Sequence, residues 1–207
     1  PGVLPVLNAG AVERAIRFRD RGVVAIDIGG PRPRGTGAPW PYRDLEPLVG
    51  RARDAGLGVT LHAGEEGVSA PDPGPYVEEM RQALRLGVDR IGHGIIAAYD
   101  PGLTEEVLRR GVALEICPTS NIRTGAVRDE EQMAEIVFGL QSAGVPLVVA
   151  TDGPEMIGTR LRAEHQFLVR RGALTTAQAR EANARAHELS FLPPAPSHGR
   201  ARAGAPA

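Results

Sequence analysis

The sequence of 207 residues predicts an α/β fold of about five parallel strands with helices on the outside. Three observations support this prediction: short apolar runs of strand length, helical patterns between them, and strand starts that recur about every 31 residues, the size of a βα unit. Repeated units of this size form either a doubly wound sheet or a (β/α) barrel. The spacing by itself leaves both architectures open.

The predicted strands are rich in Val, Ile and Leu, and their apolar residues are consecutive rather than alternating. This pattern is typical of strands that are buried on both faces, as in a parallel sheet. We therefore expect the strands to be parallel and adjacent in chain order. They lie at Val23–Ile28, Gly58–His62, Arg90–Gly92 with its flanks, Val112–Ile116 and Pro146–Ala150.

Three segments between and after the strands have helical character. Tyr76–Leu86 and Glu130–Leu140 place apolar residues on one side of a helix and charged residues on the other. Leu174–Phe191 is rich in alanine and begins with Thr175 and Thr176, which are suitable N-cap residues. We expect these helices to cover the outside of the sheet.

The remaining segments predict loops and one tail. Gly29–Pro41 and Gly64–Pro75 are rich in Pro and Gly and directly follow strands, so they predict long loops at the carboxyl edge of the sheet. Pro193–Ala207 has no periodicity and predicts a disordered tail. Residues 1–192 are therefore expected to form one domain.

Composition argues against several classes of partner. Lys and Arg number 24 against 25 Asp and Glu, a net charge of −1, which gives no electrostatic reason to bind nucleic acid or an anionic membrane. The longest apolar runs, such as Val145–Ala150, are far shorter than the ~20 residues of a membrane helix. A single cysteine, Cys117, excludes an internal disulfide framework. We expect a cytoplasmic location and a small-molecule substrate.

Chemically active residues follow the predicted strands. His62 and Glu65 come at the end of the second strand, His93 ends the third, and Asp152 follows the fifth. Each alone also fits a structural role, such as an aspartate that forms a turn. Because the carboxyl ends of parallel strands share one edge, the four should converge. Two imidazoles and two carboxylates suit a divalent metal with a proton-transferring acid.

The order H-A-G-E, R-I-G-H-G, C-P-T-S-N and T-D-G-P resembles the adenosine deaminase family of the amidohydrolase superfamily. The resemblance extends from about Val23 to about Phe191. It implies a (β/α)8 TIM barrel with one zinc ion per subunit, which hydrolyses the exocyclic amine of a purine nucleoside and releases ammonia. The five strands would be the C-terminal part of such a barrel.

The resemblance also implies a role for individual residues. His62 and Asp152 resemble zinc ligands, and Asp152 also helps to hold the attacking hydroxide that the metal makes available. Glu65 resembles the acid that protonates the ring nitrogen next to the attacked carbon, which requires a closed apolar pocket or a substrate contact that keeps its carboxyl protonated. His93 resembles the histidine that orients the hydroxide, and Gly30 the glycine whose amide contacts the purine.

Two features depart from the family pattern. The family's H-x-H pair, which supplies two zinc ligands, is absent before Val23, so we expect the sequence to be part of a longer protein whose complete form carries the activity. Gly153 stands where the family has a second aspartate, which contacts the imidazole-side nitrogen of the purine. Glu155 is the nearest candidate to replace that contact.

Three functional hypotheses follow. The first is hydrolytic deamination of adenosine or a related 6-aminopurine nucleoside. The second is hydrolysis of another amine, such as aminodeoxyfutalosine or adenine. The third is a degenerate barrel that serves as a binding or regulatory domain. One step from the chemistry, we expect Cys117 to be a small buried residue, and Ser120 and Asn121 to fix their turn and the neighbouring loops.

Overall fold

The computed structural model describes residues 3–30 and 42–192. Five strands in these residues form one sheet with the order β1-β2-β3-β4-β5, and each neighbouring pair is parallel. The sequential order excludes a doubly wound sheet and confirms the predicted arrangement. The strands are β1 (Ala25–Ile28), β2 (Gly58–Ala63), β3 (Arg90–His93), β4 (Ala113–Ile116) and β5 (Leu147–Val149).

Helices follow each strand, and three of them lie within or close to the segments with a predicted helical pattern. The turn predicted at Ser120 and Asn121 is a short helix instead, which begins with proline at its first position, Pro118, and runs through Arg123. Short 3-10 turns cover Arg19–Arg21 and Ile95–Tyr99. The helices are α1 (Val3–Arg17), α2 (Tyr42–Asp54), α3 (Gly74–Arg85), α4 (Pro101–Arg110), α5 (Pro118–Arg123), α6 (Glu130–Ser142), α7 (Pro154–Ile157), α8 (Leu161–Arg170) and α9 (Thr176–Glu188).

A row of buried aliphatic side chains crosses the sheet at one level. The strand register aligns Ile28, Leu61, Ile91, Leu114 and Leu147, one from each strand, and all five are buried. Burial of each such side chain contributes about 1.5–3 kcal/mol. Packing fixes the strand register, and the register in turn fixes which residues meet at the carboxyl edge.

Local signals set where helices begin. The Thr175 hydroxyl accepts a hydrogen bond from the Gln178 amide, and the Gln178 side chain accepts one from the Thr175 amide, which completes a capping box at α9. This confirms the predicted N-cap. Asp100 caps α4 by accepting a hydrogen bond from the Leu103 amide at 2.7 Å.

The amino-terminal end of the sheet is closed by the residues after α9. The Arg90 guanidinium lies 4.1 Å from the centre of the Phe191 ring, and Arg90 also pairs with Glu115 on the neighbouring strand. A Cβ added to Gly58 would lie 2.3 Å from the Phe191 ring, so the glycine is needed at this close approach. Arg90 is therefore at the opposite end of β3 from His93.

Two predictions concern segments outside the described residues: the part of the first long loop at 31–41, and the tail at 193–207. Within residues 3–30 and 42–192, no helix combines the length and the apolar character that crossing a membrane requires.

Candidate active site

The predicted site residues lie at the carboxyl edge of the sheet. His62 is the penultimate residue of β2, His93 is the last residue of β3, and their ring centroids are 5.4 Å apart. Glu65 follows β2, and its Oε2 lies 3.6 Å from His93 Nε2. Asp152 follows β5 and is exposed. The two histidines and Glu65 thus form one cluster.

His62 is held by a carboxylate that the sequence reasoning did not identify. Its Nδ1 lies 3.1 Å from Asp27 Oδ1, and the Thr60 hydroxyl donates to the same oxygen at 2.9 Å. The hydrogen bond with Asp27 is the main cause that raises the pKa of His62; burial opposes it, and the charges of Asp27 and Asp152 add to it. With Nδ1 engaged, Nε2 is the nitrogen that can bind a metal.

The pKa of Asp27 reflects the same contact from the other side. Burial is the largest single cause and acts to raise it, but the hydrogen bonds from His62 and Thr60 and the charges of His62 and Arg90 together lower the net pKa. The signal in the sequence was a single charged residue inside the apolar run that forms β1. Asp27 is the exposed position of β1, and its carboxylate takes its two hydrogen-bond partners from β2.

Two glycines leave room for the His62 imidazole. A Cβ on Gly29 would lie 2.8 Å from His62 Nδ1, and a Cβ on Gly92 would lie 3.2 Å from its Cδ2. The first distance is shorter than real Cβ contacts and the second is tighter than most of them, so the ring fits closely between the residues that flank it. The glycine that precedes His93 in the R-I-G-H-G motif therefore serves His62.

His93 is 1% exposed, and the side-chain amide of one residue contacts both His93 and Glu65. Its Nδ1 lies 3.0 Å from Asn121 Nδ2, which also donates to Glu65 Oε1 at 3.3 Å. The Thr124 hydroxyl donates to that same oxygen at 3.0 Å. Burial is the main cause that lowers the pKa of His93, opposed by the charge of Glu65, so the neutral imidazole is favoured near neutral pH.

Backbone strain is concentrated at two of the predicted residues. His93 has φ 64° and Asp152 has φ 59°, and within the described ranges no other non-glycine residue has a positive φ. Such conformations cost of order 1–3 kcal/mol and persist where the surrounding structure holds them. Ser120 contributes at Asp152, because its hydroxyl donates to Asp152 Oδ2 at 2.7 Å.

The two predicted substrate-binding glycines occupy different positions. Gly30, with φ 142°, follows β1 at the carboxyl edge. Gly153 precedes α7, and a Cβ there would lie 3.3 Å from Met156 Cε. Met156 is 87% exposed, so an apolar side chain stands beside the position where a second aspartate was expected. Glu155 is exposed.

The segment after β4 is held by a hydrogen bond to a buried carboxylate on α8. Glu164 on α8 is fully buried, and its Oε2 accepts a hydrogen bond from the Thr119 amide at 3.0 Å while its Oε1 accepts one from the Thr159 hydroxyl. This carboxylate, which the sequence reasoning missed, holds the start of α5. Cys117 is buried as predicted, and burial is the main cause that raises the pKa of its thiol.

The donor atoms present suit a divalent metal only in part. His62 Nε2 and Asp152 Oδ1 are donors of the kind that zinc accepts. Within residues 3–30 and 42–192, however, no group of three His, Cys, Asp or Glu side chains could hold a metal ion. A tetrahedral site would need further ligands from outside these residues.

Comparison with known proteins gives the family. The model of the adenosine deaminase family matches residues 6–200. Aminodeoxyfutalosine deaminase of Acidothermus cellulolyticus is 41% identical over 83% of this chain and 46% of its own length. Adenosine deaminase of Pectobacterium atrosepticum is 34% identical over 84% of this chain and 47% of its own length. The chain thus spans about half the length of the curated relatives that it matches.

Solved structures of deaminases and related amidohydrolases have a similar fold. The N6-methyl-AMP deaminase of Arabidopsis thaliana in its apo form matches with a TM-score of 0.74 and 26% identity, over 92% of this chain and 51% of that one. An amidohydrolase of Burkholderia ambifaria with bound zinc has the same fold, with a TM-score of 0.74 at 21% identity, over 92% and 50%. On the family match and the relatives together, the chain belongs to the adenosine deaminase family.

Proposed function

We propose that the chain supplies the C-terminal part of the active site of a zinc-dependent hydrolase that deaminates a 6-aminopurine nucleoside, with adenosine as the default substrate. The observation that carries this proposal is the cluster at the carboxyl edge. Glu65 Oε2 lies 3.6 Å from His93 Nε2, and the His62 imidazole lies beside the His93 ring. An acid, a neutral imidazole and a metal-binding imidazole are the groups that this hydrolysis requires.

The reaction adds water to the ring carbon that carries the amino group, and the carbon–nitrogen bond then breaks. The oxygen and one proton of the water remain on the product base, and the other proton leaves with ammonia. Negative charge builds on the adjacent ring nitrogen as the oxygen attacks. A protonated Glu65 would neutralise this charge by donating its proton to that nitrogen.

His93 is suited to holding the attacking oxygen. Its burial favours the neutral ring, and the strained backbone at φ 64° sets the direction of the side chain. A neutral imidazole within reach of the attacked carbon can hydrogen-bond the incoming oxygen and keep it on one face of the purine. Gly30 would contact the purine through its backbone amide.

His62 and Asp152 are the residues that would hold zinc. Asp27 fixes the His62 ring, and Ser120 fixes the Asp152 carboxylate, as is usual for the partners of metal ligands. When bound, zinc lowers the pKa of a water molecule towards neutral and so supplies a nucleophile. The remaining ligands would come from outside the described residues, as the H-x-H pair does in the family.

The proposal is tested with the full-length gene product by measuring bound zinc and ammonia release from adenosine. His62→Ala should lose the metal, whereas Glu65→Gln should retain it and lose about 10²–10⁴-fold in turnover. Glu66→Gln, which changes the adjacent exposed carboxylate, is the matched control and should retain activity. Near-normal turnover of Glu65→Gln would contradict the proton-donor role.

Aminodeoxyfutalosine is the second candidate substrate. It is favoured by the 41% identity with the Acidothermus enzyme and by the missing carboxylate at Gly153, where Met156 offers an apolar surface instead. Measurement of kcat/KM for adenosine, aminodeoxyfutalosine and adenine would decide, since a substrate that lacks a matched polar contact typically loses about tenfold or more.

A barrel kept for binding or regulation is the third hypothesis. The presence of His62, Glu65, His93 and Asp152 supports an enzyme instead. Full-length protein that binds no zinc and releases no ammonia from any of the three substrates would favour the non-catalytic barrel.

A further inference from the structure

Asn121 is a fully buried residue that touches both proposed proton-handling groups. It lies on α5, at 0% exposure, and its Nδ2 contacts Glu65 Oε1 and His93 Nδ1 at 3.3 and 3.0 Å. A primary amide nitrogen carries two hydrogens and only donates. Both neighbours must therefore accept a hydrogen bond at these atoms.

The contact with Glu65 distinguishes its two oxygens. Oε1 accepts hydrogen bonds from the Asn121 amide and the Thr124 hydroxyl, so both of its principal acceptor positions are used. A proton on this carboxyl therefore resides on Oε2, the oxygen that faces His93. After Oε2 gives its proton to the substrate, the same two donors remain on Oε1 and stabilise the carboxylate that is left.

The contact with His93 selects one form of the ring. Because Nδ1 accepts from Asn121, the proton of the neutral imidazole resides on Nε2. That nitrogen faces the Glu65 side of the site. His93 thus presents an N–H donor, not a lone pair, to an attacking oxygen or to the carboxylate.

The amide oxygen of Asn121 has no hydrogen-bonding use within the described residues. Its Oδ1 is buried and has no hydrogen-bond partner there. A buried acceptor without a partner destabilises a fold. Turning the amide by half a rotation would instead point this oxygen at the Glu65 carboxylate, acceptor against acceptor. The amide nitrogen is thus the part of Asn121 that the site uses.

We propose that Asn121 is a positioning residue that directs the transferable proton of Glu65 to Oε2 and holds His93 as its Nε2–H tautomer. This proposal rests on the proposed function for its effect on turnover. Its geometric part concerns only hydrogen positions on two side chains and is observable without any substrate.

The first test reads the His93 tautomer by ¹⁵N NMR of histidine-labelled full-length protein, with the His93 signals assigned by their loss in His93→Gln. Wild type should show the Nε2–H form. Asn121→Asp places an acceptor at Nδ1 and should convert the ring to a form with a proton on Nδ1. An Nδ1–H wild type, or an Asn121→Asp spectrum equal to wild type, would overturn the proposal whether or not the protein is a deaminase.

The second test reads coupling to Glu65 in turnover. Asn121→Ala should lower kcat about tenfold or more and change KM less than about threefold. This is expected when the mutation removes a charge-assisted hydrogen bond that stabilises the transition state rather than the bound substrate. In the Glu65→Gln background the same change should cost less than about twofold, since residues that act as a unit are not additive. Equal losses in both backgrounds would contradict the proposal.

Stability is separated from positioning by a matched control. Gln132 is also a buried amide with two hydrogen bonds, to the Arg128 amide and the Tyr99 hydroxyl, on the outer helix α6. Gln132→Ala should lower the melting temperature without changing kcat. Where Asn121→Ala does not fold, Asn121→Ser takes its place in the turnover test. A wild type with no deaminase activity would refute the proposed function, and the tautomer would still decide the role of Asn121.

Discussion

Asp27 Oδ1 lies 3.1 Å from His62 Nδ1, across the boundary between β1 and β2. The contact determines which nitrogen of His62 can face a metal, since Nδ1 is taken by the carboxylate. It also explains why β1 carries a charged residue among apolar neighbours. The same carboxylate oxygen receives the Thr60 hydroxyl, so its position is fixed from two side chains of β2.

Removal of this carboxylate should weaken metal binding. Asp27→Ala in the full-length protein should lower zinc affinity about 10–100-fold, the usual effect of losing the partner of a metal-binding histidine. Competition with a chelator of known affinity measures the change. Asp89→Ala is the matched control. The Asp89 carboxylate accepts a hydrogen bond from the Val59 amide at the amino-terminal end of β2, whereas His62 lies near the carboxyl end of that strand. Zinc affinity lowered equally in both variants would refute the assignment.

Because Gly153 replaces the family's second aspartate, the hydrogen bond from that position to the imidazole-side nitrogen of the purine should be absent. A buried hydrogen bond to a charged group is worth about 1.5–3 kcal/mol, so its absence should show in the substrate. Adenosine and its 7-deaza analogue should differ less than about threefold in kcat/KM, whereas an intact contact would separate them about ten- to a hundredfold. A loss of about a hundredfold on the analogue would mean that another group reads the nitrogen. Glu155→Gln would then be the next variant to measure.

The Asp100 cap should give a stability contribution that depends on pH. The hydrogen bond from Arg81, and then that from the Leu103 amide, lower the pKa of Asp100 below its ordinary value. Its stabilisation is therefore fully present above the unfolded value near 3.9 and is lost as pH falls through the lower folded value. Asp100→Ala should cost about 0.5–2 kcal/mol at pH 7 and progressively less in acid, as measured by urea unfolding.

The cap and the charge at this position are separable. Asp100→Ser keeps an oxygen acceptor for the Leu103 amide but loses the ion pair with Arg81. It should recover most of the stability that Asp100→Ala loses, and the recovery should not depend on pH. A serine variant as unstable as the alanine variant would show that Arg81, and not the cap, provides the stabilisation.

Cys117 should be chemically silent in the folded protein. Burial, and next the charges of Asp152 and Glu115, raise the pKa of its thiol, so the thiol stays protonated while an unfolded chain would ionise above about pH 8.5. Alkylation mapped by peptide analysis should be slow at pH 8 and fast in urea. Cys117→Ala should leave turnover within a few-fold of wild type. A complete loss with zinc bound and the fold intact would assign Cys117 a direct role.

The sequence by itself determined the parallel sheet and the edge at which the chemistry lies. Strands buried on both faces are apolar at consecutive positions, and a parallel sheet brings all carboxyl ends to one side. The grouping of His62, Glu65 and His93 therefore follows from the sequence alone. The Thr175 cap was predictable for a similar reason, because its signal lies within four consecutive residues.

Only the tertiary structure decided how these residues are held. Asp27 meets His62 across 35 positions of sequence, and Asn121 meets His93 and Glu65 across 28 and 56. From its neighbours in the sequence, Asn121 was predicted to be a turn residue, because a short sequence pattern says nothing about the residues that face it from other strands. Such pairings depend on strand register and on strained backbone at single residues, and these are set by packing of the whole sheet rather than by local preference.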